Sequence, residues 1–256
     1  MKPTSIDNPN GCPEGAGASP AGEPLPIAAV LMAAGISARY GAANKLLASF
    51  DGRPLILRAA DAAADWPFAQ RIAVVRDPQA AELLKAYPEG PAQQKEAPSI
   101  VSCSSTAEMP AAAAASESSA CPAAYRIVPN TGEDLSVRRT VRLALETLDR
   151  SCAGALFCVC DQPLLSAATV ARICRTFLKD PTRIVTLSWQ GKRGNPVLFP
   201  RSVFPELLSL GENEAGRAVL KRRPELVTSV EAAGEEELFD IDTAQQMTEL
   251  DHMRQE

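Results

Sequence analysis

The segment Ile27-Ala28-Ala29-Val30-Leu31-Met32 runs without interruption into Ala33-Ala34-Gly35-Ile36-Ser37-Ala38-Arg39-Tyr40-Gly41-Ala42-Ala43-Asn44-Lys45. The first six residues are apolar, with β-branched side chains at Ile27 and Val30. That is the pattern of a buried strand, and the small residues after it mark a loop. Gly35 and Gly41 permit positive φ and close backbone approach. Ser37 supplies a hydroxyl, and Arg39 and Lys45 supply two fixed cations. Exposed N–H groups with two cations suit a polyphosphate. The spacing is neither that of the Gly-Lys-Ser/Thr phosphate loop nor Gly-x-Gly-x-x-Gly. Taken alone, the loop also reads as a Gly/Ala turn carrying two solvated charges.

Outward from this stretch, strand patterns alternate with helical ones. Leu46 to Phe50 reads as a further extended piece and Asp51-Gly52 as a turn. Pro54 suits the first turn of a helix carried by Leu55, Leu57, Ala59, Ala62 and Ala63 toward Asp65. Arg71 to Val75 predicts a second strand and Gln79 to Tyr87 a short helix. Tyr125 to Val128 predicts a third strand. Glu133 and Asp134 stand near the start of a helix through Leu148, where acidic side chains suit the dipole. Ala155 to Cys160 predicts a fully buried central strand ending in Asp161-Gln162-Pro163. Ser166 caps a helix through Lys179. Strands follow at Arg183 to Ser188 and Asn195 to Phe199, then helices near Ser202 to Leu208 and Glu214 to Lys221. Leu226 to Glu231 and Leu238 to Ile241 read as strands, and Thr243 to Met253 as a closing helix. The alternation predicts an α/β fold in three layers, a mostly parallel sheet with helices on both faces.

With 256 residues and 46% hydrophobic content, the chain can build one large core. Residues 26–256 are expected to form that domain, behind a Pro/Gly/Ala/Ser-rich disordered leader at 1–25. A low-complexity insertion is expected at about 88–124, with room for a short strand at Ser99 to Ser102. The formal charge of −5 and pI near 5.2 argue against nonspecific nucleic-acid or membrane-surface binding. No apolar run reaches the ~20 residues a membrane span needs. Seven cysteines without a Cys-x-x-Cys pair, and a single histidine, His252, do not make a structural zinc site. The odd count fits a reducing cytoplasm. Cys158 and Cys160 alternate along an apolar run and read as inert packing.

Asp161 stands at the carboxyl end of the predicted central strand, where open α/β sheets bind ligands. A carboxylate there suits Mg²⁺ bridging phosphate oxygens, and helix capping is the plainer alternative. Asp240 and Asp242 flank Ile241 and share a face at period two. One of them would complete a metal site, unless Asp242 instead caps the last helix.

Four elements stand in a fixed order: LMAAGISARYGAANKLL from Leu31, CDQPL from Cys160, GNPVLF from Gly194 and DIDT from Asp240. Together they resemble the nucleotidyltransferases of the molybdenum-cofactor branch, from Ile27 to about Leu250 without the 88–124 stretch. The resemblance implies a Rossmann-like nucleotidyltransferase fold. Ala33-Ala34-Gly35 and Asn44-Lys45-Leu46-Leu47 are similar to the cytidylyl-transferring members; guanylyl-transferring ones usually carry Ala-Gly-Gly and Asp-Lys. The implied reaction moves CMP from CTP to the phosphate of molybdopterin and releases pyrophosphate. By resemblance, Lys45 and Arg39 act on the triphosphate. Ala33, Ala34, Gly35, Ser37, Asn130 and Thr140 bind the nucleotide, and Asp161 with Asp242 holds Mg²⁺ or Mn²⁺. A molybdenum hydroxylase in the cytoplasm is the implied recipient. The chain departs from the family where Asn195 replaces a usual His and Cys160 a usual Gly. Ser136-Val137-Arg138-Arg139-Thr140-Val141 replaces Gly-Met-Ser-x-Ser-Leu, with Thr140 the nearest match to the serine beside the base. A guanylyltransferase, a sugar-phosphate or isoprenoid-type nucleotidyltransferase and a non-catalytic cofactor carrier remain alternatives. Lys45 and Asp161 count against the carrier, which needs no triphosphate and metal site.

Overall fold

Alternation along β1 (Ile27–Ala33) organises the molecule, here a computed structural model that describes residues 26–35, 40, 44–87, 124–211 and 214–253. Ile27, Ala29, Leu31 and Ala33 belong to one apolar cluster and Ala28 and Val30 to another, all at most 2% exposed. A strand buried on both faces lies at the centre of a sheet covered on both sides. The expected leader, Ser37, Arg39, Gly41 and the suggested strand at Ser99 to Ser102 lie outside the described residues.

After β1 the chain forms a small hairpin, β2 (Ser49–Phe50) and β3 (Arg53–Pro54). Asp51 and Gly52 turn it with φ of 51° and 73°, the positive pair a tight two-residue hairpin demands. The main sheet adds β4 (Gln70–Val75), β5 (Arg126–Pro129), β6 (Gly154–Val159), β7 (Ile184–Trp189), β8 (Lys192–Pro200) and β9 (Val227–Glu231). Its order is β5-β4-β1-β6-β8-β7-β9. The pairings are parallel except at β8, which runs antiparallel to both β6 and β7.

The helices α1 (Leu55–Ala62), α2 (Pro78–Lys85) and α4 (Ala167–Lys179) cover the face that Leu31 enters. The opposite face is covered by α3 (Val137–Thr147), α5 (Phe204–Leu208) and α6 (Gly216–Arg222). Finally, α7 (Ala244–Met253) packs Met247 and Leu250 on Phe50, Leu55 and Ile241. This is the mostly parallel three-layer α/β/α arrangement expected from the sequence. No helix among the described residues is long and apolar enough to cross a membrane.

Several boundaries differ from the expectation, each for a local reason. Lys45–Leu47 is a 3-10 turn, because Asn44 Oδ1 accepts the Leu46 N–H at 3.0 Å. Helix α3 begins after Ser136, whose hydroxyl accepts the Arg139 N–H, so Glu133 and Asp134 precede the helix. Asp134 instead takes the Ser136 N–H. Leu238 to Ile241 is not a strand. Glu235–Leu238 is a 3-10 turn that leads into an irregular segment tied by Ile241 N–H to the Asp161 carbonyl at 2.9 Å.

Candidate active site

Parallel strands bring their carboxyl ends to one edge, and open α/β sheets bind ligands there. Here β1 delivers Ala33-Ala34-Gly35, β5 delivers Asn130, and β6 delivers Cys160 and Asp161. The antiparallel β8 starts at the same edge and contributes Arg193, Gly194 and Asn195. Ala33 and Ala34 are buried and Gly35 is exposed, so the strand end offers backbone rather than side chain.

Lys45 is only 7% exposed, an unusual burial for an ammonium. The Asn44-capped turn aims it inward. Its Nζ donates to Asp161 Oδ2 at 2.8 Å and lies 3.7 Å from Asp242 Oδ1. The Asp161 and Asp242 side chains are 26% and 33% exposed, so both can be reached from solvent. Asp161 Oδ1 is buried without a hydrogen-bond partner among the described residues. Such an orphaned carboxylate oxygen calls for a further ligand.

Thr243 and Gln246 cap the last helix. Thr243 Oγ1 accepts the Gln246 N–H, and Gln246 Oε1 accepts the N–H groups of Asp242 and Thr243. This reciprocal box is the work of Thr243 and Gln246. Asp240 turns to a different partner from Asp242, because the segment is no strand. Its Oδ1 accepts from Gln162 Nε2 at 2.9 Å. Burial, with the negative charge of Asp161 beside it, raises the Asp240 carboxyl above its ordinary range. Among the described residues no group of three or more His, Cys, Asp or Glu side chains could hold a metal ion. Two carboxylates with substrate phosphates are nonetheless the usual Mg²⁺ arrangement.

A second polar group lies at the ends of β4 and β5. Asn130 is fully buried; its Nδ2 donates to Thr140 Oγ1 at 3.3 Å and its Oδ1 accepts from Arg139 Nε at 2.9 Å. Arg76 Nη2 donates to the Gly132 carbonyl nearby. Thus Asn130 and Thr140 meet each other, and Lys45, Asp161 and Asp242 meet each other. No hydrogen bond or ion pair joins the two groups among the described residues. Sequence reading did not single out Arg139. Its signal was a pair of cations, Arg138 and Arg139, in the first turn of a helix, where the dipole disfavours positive charge.

Beside the carboxyl edge, a cavity of about 920 Å³ opens between the sheet and α3, α5 and α6. Met32, Val141, Phe157, Val197 and Phe199 give it apolar walls. Arg193, Arg217 and Lys221 line it without any ion pair among the described residues, whereas Glu214 is engaged by Arg222 and by the Gly211 N–H. In an acidic protein this is a locally cationic pocket. Sequence reading missed it, since its walls come from six separate elements.

The buried thiols take no part. Burial pushes Cys158 up to about 12 and raises Cys160 well above its ordinary value, so neither forms the reactive thiolate at neutral pH.

Known proteins agree with this architecture. Residues 29–227 match the family model described as MobA-like NTP transferase domain. No curated protein matches the chain. Among solved structures, Rv0371c of Mycobacterium tuberculosis H37Rv superposes with a TM-score of 0.61 at 21% identity, covering 90% of this chain and 100% of that one. A structure of the same protein is a complex with manganese, at TM-score 0.56, 21% identity and coverages of 90% and 97%. A nucleotidyl transferase from Methanothermobacter superposes at 0.62 with 19% identity, covering 90% and 99%. At these identities the structural likeness establishes the fold, while the family match extends over most of the chain. The chain belongs to the MobA-like NTP transferase family and is a nucleotidyltransferase.

Proposed function

We propose that this nucleotidyltransferase moves CMP from CTP to the phosphate of molybdopterin. The observation that carries the reading is the buried Lys45 held between Asp161 and Asp242 at the carboxyl edge of the sheet, the edge from which β8 carries Arg193 into a cation-lined apolar cavity. A phosphate oxygen of the acceptor attacks the α-phosphorus of CTP, the bond from that phosphorus to the bridging oxygen breaks, and pyrophosphate leaves. Such transfers depend on alignment and charge neutralisation rather than on a covalent enzyme intermediate. Lys45, with Arg39, offsets charge on the triphosphate and on departing pyrophosphate.

Asp161 and Asp242 suit Mg²⁺ or Mn²⁺: they are hard oxygen donors, and Asp161 Oδ1 lacks a hydrogen-bond partner among the described residues. A cation held by these two carboxylates would supply neutralisation of phosphate charge. The manganese complex of Rv0371c supports the same choice.

Ala33, Ala34 and Gly35 offer backbone N–H groups to the nucleotide, and by resemblance Ser37 serves the same substrate. Thr140 lies near the base. Asn130, being fully buried, acts by fixing Thr140 and Arg139. The Ala-Ala-Gly and Asn-Lys-Leu-Leu residues support cytidine over guanosine. A structural relative, CMP:2-keto-3-deoxy-manno-octonic acid synthetase, is described in complex with CTP. The cavity would receive the acceptor, its ring system against the apolar wall and its negative charge toward Arg193, Arg217 and Lys221. Residues 26–256 would act as one domain interrupted at about 88–124, and a molybdenum hydroxylase in the cytoplasm would receive the product.

The test is pyrophosphate release from CTP, GTP, UTP and ATP in turn, each with molybdopterin and Mg²⁺. CTP should be consumed fastest. Consumption of GTP alone would make the protein a guanylyltransferase, and consumption of none would favour a carrier.

A further inference from the structure

We propose that Glu237 is a positioning residue that fixes the spacing of Asp161 and Asp242. This rests on the reading of those two carboxylates as metal ligands. Glu237 is only 3% exposed, though it sits in the run Glu235-Glu236-Glu237. It is satisfied by donors from the distant start of α4 and from its own turn at Ala233. Oε1 accepts from the Ser166 N–H at 3.2 Å and the Ser166 hydroxyl at 2.5 Å. Oε2 accepts from the Thr169 hydroxyl at 2.8 Å and the Ala233 N–H at 2.9 Å. Ser166 and Thr169 form the first turn of α4, where the helix dipole also favours a carboxylate.

The consequence is geometric. Ser166 follows Asp161 by five residues, and Asp242 follows Glu237 by five. The two segments are therefore pinned at one end by Glu237 and near the other by Ile241 N–H on the Asp161 carbonyl, at 2.9 Å. Gln162 Nε2 on Asp240 Oδ1 adds a cross-tie between them. Among the described residues no hydrogen bond or ion pair joins Glu237 to Asp161 or Asp242, yet the separation of their carboxylates depends on it. Partners that orient metal ligands typically matter 10–100-fold in affinity.

Glu237→Gln keeps the shape but turns an acceptor into a donor. Its amide nitrogen can serve Thr169 Oγ1 only while facing the Ala233 N–H, so one buried donor loses its partner. The experiment titrates Mn²⁺ into the full chain, followed by electron paramagnetic resonance, with melting temperature measured alongside. Glu237→Gln should weaken Mn²⁺ about tenfold, and in turnover should raise the Mg²⁺ needed for half-maximal rate while kcat at saturating Mg²⁺ stays within about threefold. Cys174→Ala, which loosens the buried face of α4 away from Glu237, should lower the melting temperature without moving Mn²⁺ binding. If Glu237→Gln does not fold, the isosteric Thr169→Val removes one donor and should weaken Mn²⁺ about threefold. Unchanged Mn²⁺ binding in the folded variant, or an equal loss in Cys174→Ala, would make Glu237 merely structural. A wild type that binds Mn²⁺ but releases no pyrophosphate would sink the functional reading while leaving this comparison decisive. A wild type that binds no Mn²⁺ would overturn the positioning role itself.

Discussion

Replacing Lys45 by Met removes the ammonium shared by Asp161 and Asp242 and keeps a flexible four-atom stem. At 2.8 Å, the Lys45–Asp161 attraction is about 6 kcal/mol at an effective dielectric of ~20 and about 1.5 kcal/mol in water. Asp161 is 26% exposed, so the net value lies toward the lower figure once desolvation is counted. The folded state should therefore lose about 1–3 kcal/mol, offset in part because both carboxylates regain water. Turnover should suffer more. A preorganised group that offsets developing charge is worth about 10²–10³ in rate, or roughly 3–4 kcal/mol. Loss of the ammonium should also let two carboxylates attract a cation unopposed, so nucleotide-free Mn²⁺ binding should tighten. The assay pairs CMP transfer with Mn²⁺ titration on protein whose folding is verified by circular dichroism. Near-normal transfer by Lys45→Met would refute the role of Lys45. Weaker Mn²⁺ binding would refute the picture of an ammonium competing for the metal's ligands.

Other outcomes follow from the same structure. Arg217→Ala with Lys221→Ala should raise the acceptor KM about tenfold and leave the CTP KM unchanged, as steady-state kinetics with each substrate varied would reveal; equal effects on both would remove the cavity from the acceptor's path. Asn130→Leu should cost about 1–3 kcal/mol in urea unfolding, since Arg139 and Thr140 lose a buried partner; a loss below about 0.5 kcal/mol would mean those groups find water instead. Native protein in iodoacetamide at pH 8 should leave Cys158 and Cys160 unmodified on peptide mapping, whereas rapid alkylation of either would contradict their burial. Because folding raises these thiols, their contribution to stability is complete below the ordinary thiol value. It is lost as pH rises from about 9 through about 12, so the urea midpoint should fall over that range.

Strands β1 and β6 were legible because burial on both faces leaves an unbroken apolar run, and α4 because Ser166 caps an amphipathic stretch. The antiparallel sense of β8 was not, because an apolar run carries no direction. The segment Leu238 to Ile241 misled by its alternation: Asp-Ile-Asp reads as a strand, but Ile241 anchors a small core with Phe50 and Met247 while the two aspartates turn to different partners. Lys45 and Asp161, separated by 116 residues, were each visible at strand ends and do meet. Glu237 was invisible, since a run of glutamates normally marks a solvated turn and only tertiary contact shows which one is buried. The cavity was equally hidden, because its cations come from β8 and α6 and its apolar walls from three strands and α3.

The most direct measurement incubates the protein with molybdopterin, Mg²⁺ and equimolar CTP and GTP, and weighs the product by mass spectrometry. The expected result is the cytosine dinucleotide of the cofactor, formed with stoichiometric pyrophosphate and lost in Lys45→Met. A guanine dinucleotide, or unaltered molybdopterin with both nucleotides intact, would contradict it.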